Sequence, residues 1–126
     1  MVSPETHSGH RIVLQKFNDV LIVPLPNLVD DGFFQELNQQ LLVCLHNDQV
    51  SGVVLDLGSV DIMDQHDFEH LHRIWQSTHL MGTPLILASL NPGVAAAWAA
   101  LDVEDAWATG ALSVGQAMNL LPEQRS

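Results

Sequence analysis

The chain has 126 residues, of which 47% are hydrophobic, and this size and composition suit one compact globular domain. Fifteen acidic and four basic residues give a formal net charge of -11, and Arg73 is the only Lys or Arg between residues 17 and 124. Proteins that bind nucleic acids or membrane surfaces need clustered basic groups to meet phosphates, so the composition argues against both classes.

The two ends of the chain are predicted to be flexible tails, residues 1–10 and 122–126, on either side of one domain at 11–121. The first ten residues are mostly polar and lack the apolar stretch of a signal sequence. No apolar run approaches the roughly 20 residues of a membrane helix. We therefore expect a cytoplasmic location.

The first part of the domain is predicted to contain a β-hairpin and a long helix. Apolar runs at 12–14 and 20–23 are separated by the polar pair Asn18-Asp19, which favours a turn between two strands. Asp30 or Asp31 can then cap a helix whose apolar residues recur at three-and-four spacing as far as Leu45. Cys44 lies in its apolar end and is predicted to be a small buried residue rather than a reactive thiol.

Strands and helices then alternate. Residues 53–57 are a continuous apolar run with one acid, typical of a strand buried on both faces. Two further strands are predicted at 84–88 and 106–109. Three helices are predicted, from near Asp64 to Gly82, from Asn91-Pro92 to Leu101, and from Ser113 to Leu121. The order predicts an α/β fold with a mixed, mostly parallel sheet of four to five strands, about four helices and an antiparallel edge hairpin.

The richest polar segment follows the central strand and continues into the second helix, where open α/β sheets usually place binding surfaces. Its candidate binding residues are Asp61, Asp64, Gln65, His66, Asp67, Glu69, His70 and Arg73. One interpretation is a metal site, because His66 and His70 are one helical turn apart and Asp67 is near, although no third ligand has a recognisable spacing. The other interpretation is a solvated face, because these histidines lie opposite the apolar stripe of the helix.

The carboxylates of this segment could also form an acid–base pair, because clustered acids raise one another's pKa. Acids are equally favoured in the first turn of any helix by its dipole. Ser59 lies in no recognisable nucleophile motif. Among the tryptophans, Trp75 lies in the apolar stripe and is predicted to be structural, whereas Trp98, in an alanine-rich helix, is either a core residue or an interface residue.

Residues 53–64, with the sequence VVLDLGSVDIMD, resemble the signature of STAS domains, the anti-sigma factor antagonist family. The segments 80–82, 91–94 and 110–114 also match, so that the resemblance covers about residues 11–121. It is strongest to the RsbS class of scaffold proteins from the bacterial stressosome. It implies a STAS (SpoIIAA-like) fold and a non-catalytic regulatory function in signal transduction and stress response. It further implies a switch kinase of the GHKL (RsbT-like) type and other STAS-domain (RsbR-like) proteins as partners, with no cofactor.

The resemblance also implies a phosphorylation site, and here the sequence departs from the family. The family places a Ser or Thr after the aspartate matched by Asp64, and a kinase phosphorylates that hydroxyl. This chain has Gln65, which cannot accept a phosphate of about -1.5 to -2 charges. We therefore expect a STAS protein that is not switched at this position. Ser59, Thr78 and Thr83 are candidate substitute phosphosites.

Two alternatives remain from the sequence. One is a metal-binding protein or enzyme that uses His66, His70 and Asp67. The other is a purely structural STAS subunit that assembles with STAS proteins but has no affinity for a kinase.

Overall fold

The structure, a computed structural model, describes residues 12–100 and 109–121, so both predicted tails lie outside the described residues. Within these ranges the elements are β1 (Gln15–Phe17), β2 (Val20–Pro24), α1 (Asp31–Asn47), β3 (Gly52–Asp56), α2 (Gln65–Leu80), β4 (Leu85–Ala88), α3 (Pro92–Ala100), β5 (Thr109–Ala111) and α4 (Val114–Leu120). The predicted α/β order, with an opening hairpin and four helices, is confirmed.

The five strands form one sheet in the order β1-β2-β3-β4-β5. β1 pairs with β2 antiparallel, and the other three pairs are parallel. The mixed, mostly parallel sheet with an antiparallel edge is therefore confirmed. Each helix between parallel strands returns the chain to the starting end of the sheet, so β2, β3 and β4 finish at the same edge.

Two strand boundaries differ from the prediction. The first strand is Gln15–Phe17 rather than 12–14, because Asn18 takes a left-handed conformation with φ 56° and closes a tight turn that pairs Phe17 with Val20. Residues 12–14 have no regular structure, although Ile12 and Leu14 still pack against the core. The last strand was predicted at 106–109 and begins at Thr109, and residues 106–108 lie outside the described ranges.

The core has two layers, one on each face of the sheet. On one face α1 and α2 cover the strands, with Phe34 and Leu37 from α1 and Leu71 and Ile74 from α2 fully buried. On the other face Ala117 of α4 and Leu121 cover the second layer. Val53, Val54 and Leu55 are each 0% exposed, which confirms a central strand buried on both faces.

Cys44 is half-buried rather than buried, because it lies on the side of α1 that turns from the core toward solvent. Burial raises the pKa of its thiol, and a hydrogen bond from Sγ to Asp48 Oδ2 at 3.4 Å adds to this effect. The thiolate is therefore disfavoured, which agrees with the prediction of an unreactive side chain.

The described tryptophans both take part in packing. Trp75 stacks on His79, with ring centroids 4.7 Å apart, and packs against the core as predicted. Trp98 lies parallel to Phe68 at 6.3 Å and packs against the same core. Of its two interpretations, the structure favours the core residue. Trp107 lies outside the described residues.

Candidate functional site

The start of α2 is fixed by a reciprocal cap between Asp64 and Asp67. The backbone N–H of Asp67 donates to Asp64 Oδ1 at 2.9 Å, and the backbone N–H of Asp64 donates to Asp67 Oδ2 at 3.1 Å. The first of these bonds lowers the pKa of Asp64, whereas burial raises the pKa of Asp67. Two of the carboxylates considered as an acid–base pair thus form a helix capping box.

Gln65 is the first residue of α2 and its side chain is exposed. Six of the eight predicted binding residues are exposed, namely Asp61, Asp64, Gln65, His66, Glu69 and Arg73. Asp67 is half-buried and His70 is buried. The exposed members therefore form one polar surface along the loop before α2 and the first turns of that helix.

His70 does not belong to a solvated face, contrary to the expectation for the side of the helix opposite the apolar stripe. It is 7% exposed, and its ring stacks on Phe34 of α1 with centroids 5.1 Å apart and an interplanar angle of 11°. The reason is that α2 packs against α1 as well as against the sheet, so it has two buried sides. His70 therefore lies on a second buried side of α2, which the spacing of the apolar residues in the helix does not reveal.

The carboxylate beside the two histidines is Asp31, not Asp67. Asp31 Oδ1 lies 2.9 Å from His66 Nε2 and 3.0 Å from His70 Nε2. The hydrogen bonds with His66 and then His70 lower the pKa of Asp31, and the hydrogen bond with Asp31 raises the pKa of His66. The predicted grouping of His66 and His70 with Asp67 is thereby corrected, because Asp67 is held in the capping box.

Asp31 was predicted only as a helix cap, a role that Asp30 fills by accepting a hydrogen bond from the Phe33 N–H at 2.8 Å. Asp31 is thus placed in the first turn of α1. A parallel β2-β3 pair with both helices on one face sets the beginnings of α1 and α2 side by side. The predicted element order already implies this arrangement, so the position of Asp31 beside α2 is a feature that the sequence could predict.

The loop before α2 is held in place by side chains from neighbouring loops. Asn27 Nδ2 donates to Asp61 Oδ2 at 2.8 Å and to the Ser59 carbonyl at 2.9 Å. Asn91 donates from Nδ2 to the Val60 carbonyl and accepts from the Val94 N–H at the start of α3. These bonds tie the loops that follow β2, β3 and β4 into one surface.

Two large apolar side chains in these loops are almost fully exposed. Leu28 follows Asn27 and is 83% exposed, and Ile62 follows Asp61 and is 81% exposed. Sequence reasoning missed both, because an isolated apolar residue in a loop carries no periodic signal. Exposed apolar groups beside a polar rim are typical of protein-binding surfaces.

Of the three candidate substitute phosphosites, Ser59 is exposed. Thr78 is 1% exposed, and its hydroxyl donates to the Trp75 carbonyl at 3.0 Å. Thr83 is 7% exposed. Both threonines are therefore buried in the folded protein, whereas Ser59 is at the surface.

The comparison with known families agrees with this architecture. The STAS domain family model matches residues 11–117, and the chain belongs to the STAS domain family. No curated protein sequence gives a significant match. No helix within residues 12–100 and 109–121 combines the length and apolar character needed to cross a membrane.

Solved structures with the same fold include stressosome proteins and an anti-sigma factor antagonist. A variant of RsbS from Moorella thermoacetica superposes with a TM-score of 0.74 at 20% identity, covering 87% of this chain and 93% of that one. A chain from the stressosome, described as a signal integration and transduction hub, superposes with a TM-score of 0.73 at 20% identity. The match covers 85% of this chain and 93% of the stressosome chain. The anti-sigma factor antagonist SpoIIAA, in its unphosphorylated form, superposes with a TM-score of 0.66 at 12% identity. The match covers 86% of this chain and 94% of SpoIIAA. These likenesses confirm the STAS (SpoIIAA-like) fold.

Proposed function

We propose that this STAS-domain protein is a non-catalytic regulator that binds other proteins through the loop and first turns of α2, from Asp61 to Arg73. The observation that carries the proposal is the position of Gln65, directly after the N-cap Asp64 and exposed at the helix start. In the family this position carries the phosphorylatable hydroxyl. The amide of Gln65 accepts no phosphate and carries no charge, so the surface keeps one binding state.

The chemistry of this surface supports protein binding. Exposed apolar side chains at Leu28 and Ile62 lie among exposed carboxylates, and the loops that carry them are fixed by the hydrogen bonds of Asn27. A surface that is ordered before binding loses less entropy on association. The net charge of -11 favours partners with basic surfaces.

The partners we propose are a switch kinase of the GHKL type and other STAS-domain proteins. Likeness to RsbS and to a stressosome chain supports co-assembly with STAS proteins, and likeness to SpoIIAA supports kinase recognition. Under this proposal the chain is a constitutive partner that ATP does not release, or a scaffold regulated through a neighbouring subunit. We further propose that it functions in the bacterial cytoplasm.

The test is co-elution of the purified chain with a GHKL-type switch kinase, with and without ATP, with light scattering for particle mass. We expect a complex that persists with ATP while intact mass spectrometry shows no phosphoryl group on the chain. A complex released by ATP together with phosphorylation of the chain would contradict the proposal. Assembly with STAS proteins but no kinase complex under either condition would favour the purely structural subunit.

A further inference from the structure

Three side chains from two helices bring three potential metal ligands together. Asp31 Oδ1 lies within hydrogen-bonding distance of Nε2 of both His66 and His70, and the three residues offer one ligand atom each within 4.8 Å of one another. Among the residues that the structure describes, this is the one group of three His, Cys, Asp or Glu side chains whose ligand atoms converge in this way. The two histidines lie one turn apart on α2, and the carboxylate comes from the first turn of α1.

We propose that Asp31, His66 and His70 bind a divalent first-row transition metal ion of the Zn²⁺ type. Two imidazoles and one carboxylate are a ligand set that suits such ions and leaves a coordination position for water. Metal–ligand bonds of 2.0–2.2 Å place neighbouring tetrahedral ligand atoms about 3.3 Å apart. The two Nε2–Oδ1 distances, 2.9 and 3.0 Å, need to widen by only a few tenths of an ångström.

The fold holds these ligands in position before an ion arrives. His70 is buried and stacked on Phe34, which fixes the plane of its ring. The Asp30 cap sets the first turn of α1, and the capping box sets the turn that carries His66. The side chains of His66 and Asp31 are 56% and 59% exposed, so an ion can enter from solvent.

The groups behind the ligands distinguish the two histidines. When Nε2 binds a metal ion, the ring proton must be on Nδ1, which then needs an acceptor. His66 Nδ1 has one within reach, because Glu69 Oε1 lies 3.8 Å away. His70 Nδ1 instead faces Arg73 Nη2 at 3.4 Å, and a guanidinium only donates. Metal binding therefore breaks this contact, and the exposed Arg73 side chain must turn away.

Proton-bound and metal-bound forms exclude each other at this site. In the hydrogen-bonded form the Nε2–H groups of both histidines donate to Asp31 Oδ1, and in the metal-bound form the same three atoms face the ion. The site adjoins Gln65, so an ion would bring positive charge next to the position where the family places a phosphate. That regulatory consequence rests on the proposed function, whereas metal binding itself does not.

The experiment is calorimetric titration of Zn²⁺ into the untagged, chelator-treated full chain near neutral pH. His7 and His10 are replaced by Gln throughout, so that histidines near the N-terminus supply no ligands. We expect one equivalent of Zn²⁺, and the visible absorption of Co²⁺ should report a site of low coordination number. His66→Gln and Asp31→Asn, which change exposed side chains, should each weaken binding at least ~10-fold, since even the partners of metal ligands contribute 10–100-fold.

Three further variants make the test specific. Glu69→Met should weaken binding, because it removes the acceptor near His66 Nδ1, and Arg73→Met should strengthen binding, because it removes the donor that competes for His70 Nδ1. His46→Gln changes an exposed histidine outside the site and should bind Zn²⁺ as the parent does. Circular dichroism checks that each variant is folded.

The proposal is overturned by the absence of one-equivalent binding, or by His66→Gln and Asp31→Asn variants that bind as tightly as the parent. Because the titration uses the chain alone, it is independent of the kinase experiment. If the chain binds no metal ion but still forms the kinase complex, the metal site is wrong and the proposed function is unaffected.

Discussion

The side chains of Asp64 and Asp67 cap each other's backbone, and the two residues between them are Gln65 and His66. The reciprocal hydrogen bonds therefore fix the backbone that presents the family's switch position and one of the proposed metal ligands. The charge that phosphorylation would add at this helix start is absent, while the local geometry of a helix N-terminus is kept. This combination is the basis of the proposal that phosphorylation does not switch the partner-binding surface.

The capping box should be visible in stability. Asp64→Ala removes the side-chain acceptor for the Asp67 N–H and should lower Tm by roughly 2–6 °C. Asp64→Asn is the matched control, because Asn caps helices about as well as Asp and should leave Tm nearly unchanged. Thermal unfolding followed by circular dichroism measures both. An Asn variant as unstable as the Ala variant would show that charge, rather than the cap, is the stabilising feature.

A side chain at Gly52 of β3 should be destabilising while Leu121 is present. A Cβ at position 52 would lie 2.7 Å from Leu121 Cδ1 and 2.8 Å from Cδ2, closer than real contacts allow. Leu121 is 7% exposed against the sheet, so it can yield only by disturbing the second core layer. Gly52→Ala should lower the free energy of unfolding by about 1–3 kcal/mol in chemical denaturation.

A double-mutant cycle gives the control for this contact. In a Leu121→Ala background the obstructing methyl groups are gone, and Gly52→Ala should be much less destabilising. Equal destabilisation in both backgrounds would mean that the strand conformation at Gly52, and not the contact with Leu121, excludes a side chain.

The element order could be read from the sequence because its signals are local. The apolar run at 53–57 and the capping residues Asp64 and Ser113 each act within a few residues of themselves, and the structure confirms the elements they define. The first strand was displaced because its register depends on the turn conformation of Asn18, which a search for apolar runs does not include.

The side chains of the site were predicted in part. The loop and helix start that carry these side chains could be predicted, because they follow a central strand of the sheet. The contact between Asp31 and His70 could not, because it links residues that are 39 positions apart in the sequence. Its prediction requires the packing of α1 beside α2, which also explains the burial of His70. The position of His70 within its own helix does not show how α1 packs beside α2. The stacking of His70 on Phe34 could therefore not be predicted from the sequence.

Ile62 should contribute to partner binding and not to stability. Its side chain is 81% exposed, so Ile62→Ser should leave Tm almost unchanged while weakening the complex with the switch kinase about tenfold. Leu80→Ser is the matched control, because Leu80 is 87% exposed at the other end of α2 and should bind normally. Equal effects of both substitutions on affinity, measured by calorimetry, would argue against a surface centred on the start of α2.

Cys44 should react slowly with alkylating reagents at mildly alkaline pH. Burial, followed by the hydrogen bond and charge of Asp48, raises the pKa of its thiol, and the thiolate is the reactive form. Asp48→Asn should lower the pKa of Cys44 and increase the rate of reaction with iodoacetamide. The difference in reaction rate between the two proteins should shrink as the pH rises and Cys44 becomes a thiolate in both. A pH–rate profile by mass spectrometry measures this, with Asp61→Asn as the control, and identical profiles for all three proteins would contradict it.

The measurement that tests the central claim most directly is restoration of the missing hydroxyl by Gln65→Ser. With a GHKL-type kinase and ATP, the account predicts that the parent gains no phosphoryl group and keeps its complex. The Gln65→Ser protein should gain one phosphoryl group and release the kinase. Gln76→Ser, an exposed position about three turns further along α2, should behave as the parent does. Phosphorylation of the parent chain, at Ser59 for example, with release of the kinase would contradict the claim, and so would a Gln65→Ser complex that ATP leaves unchanged.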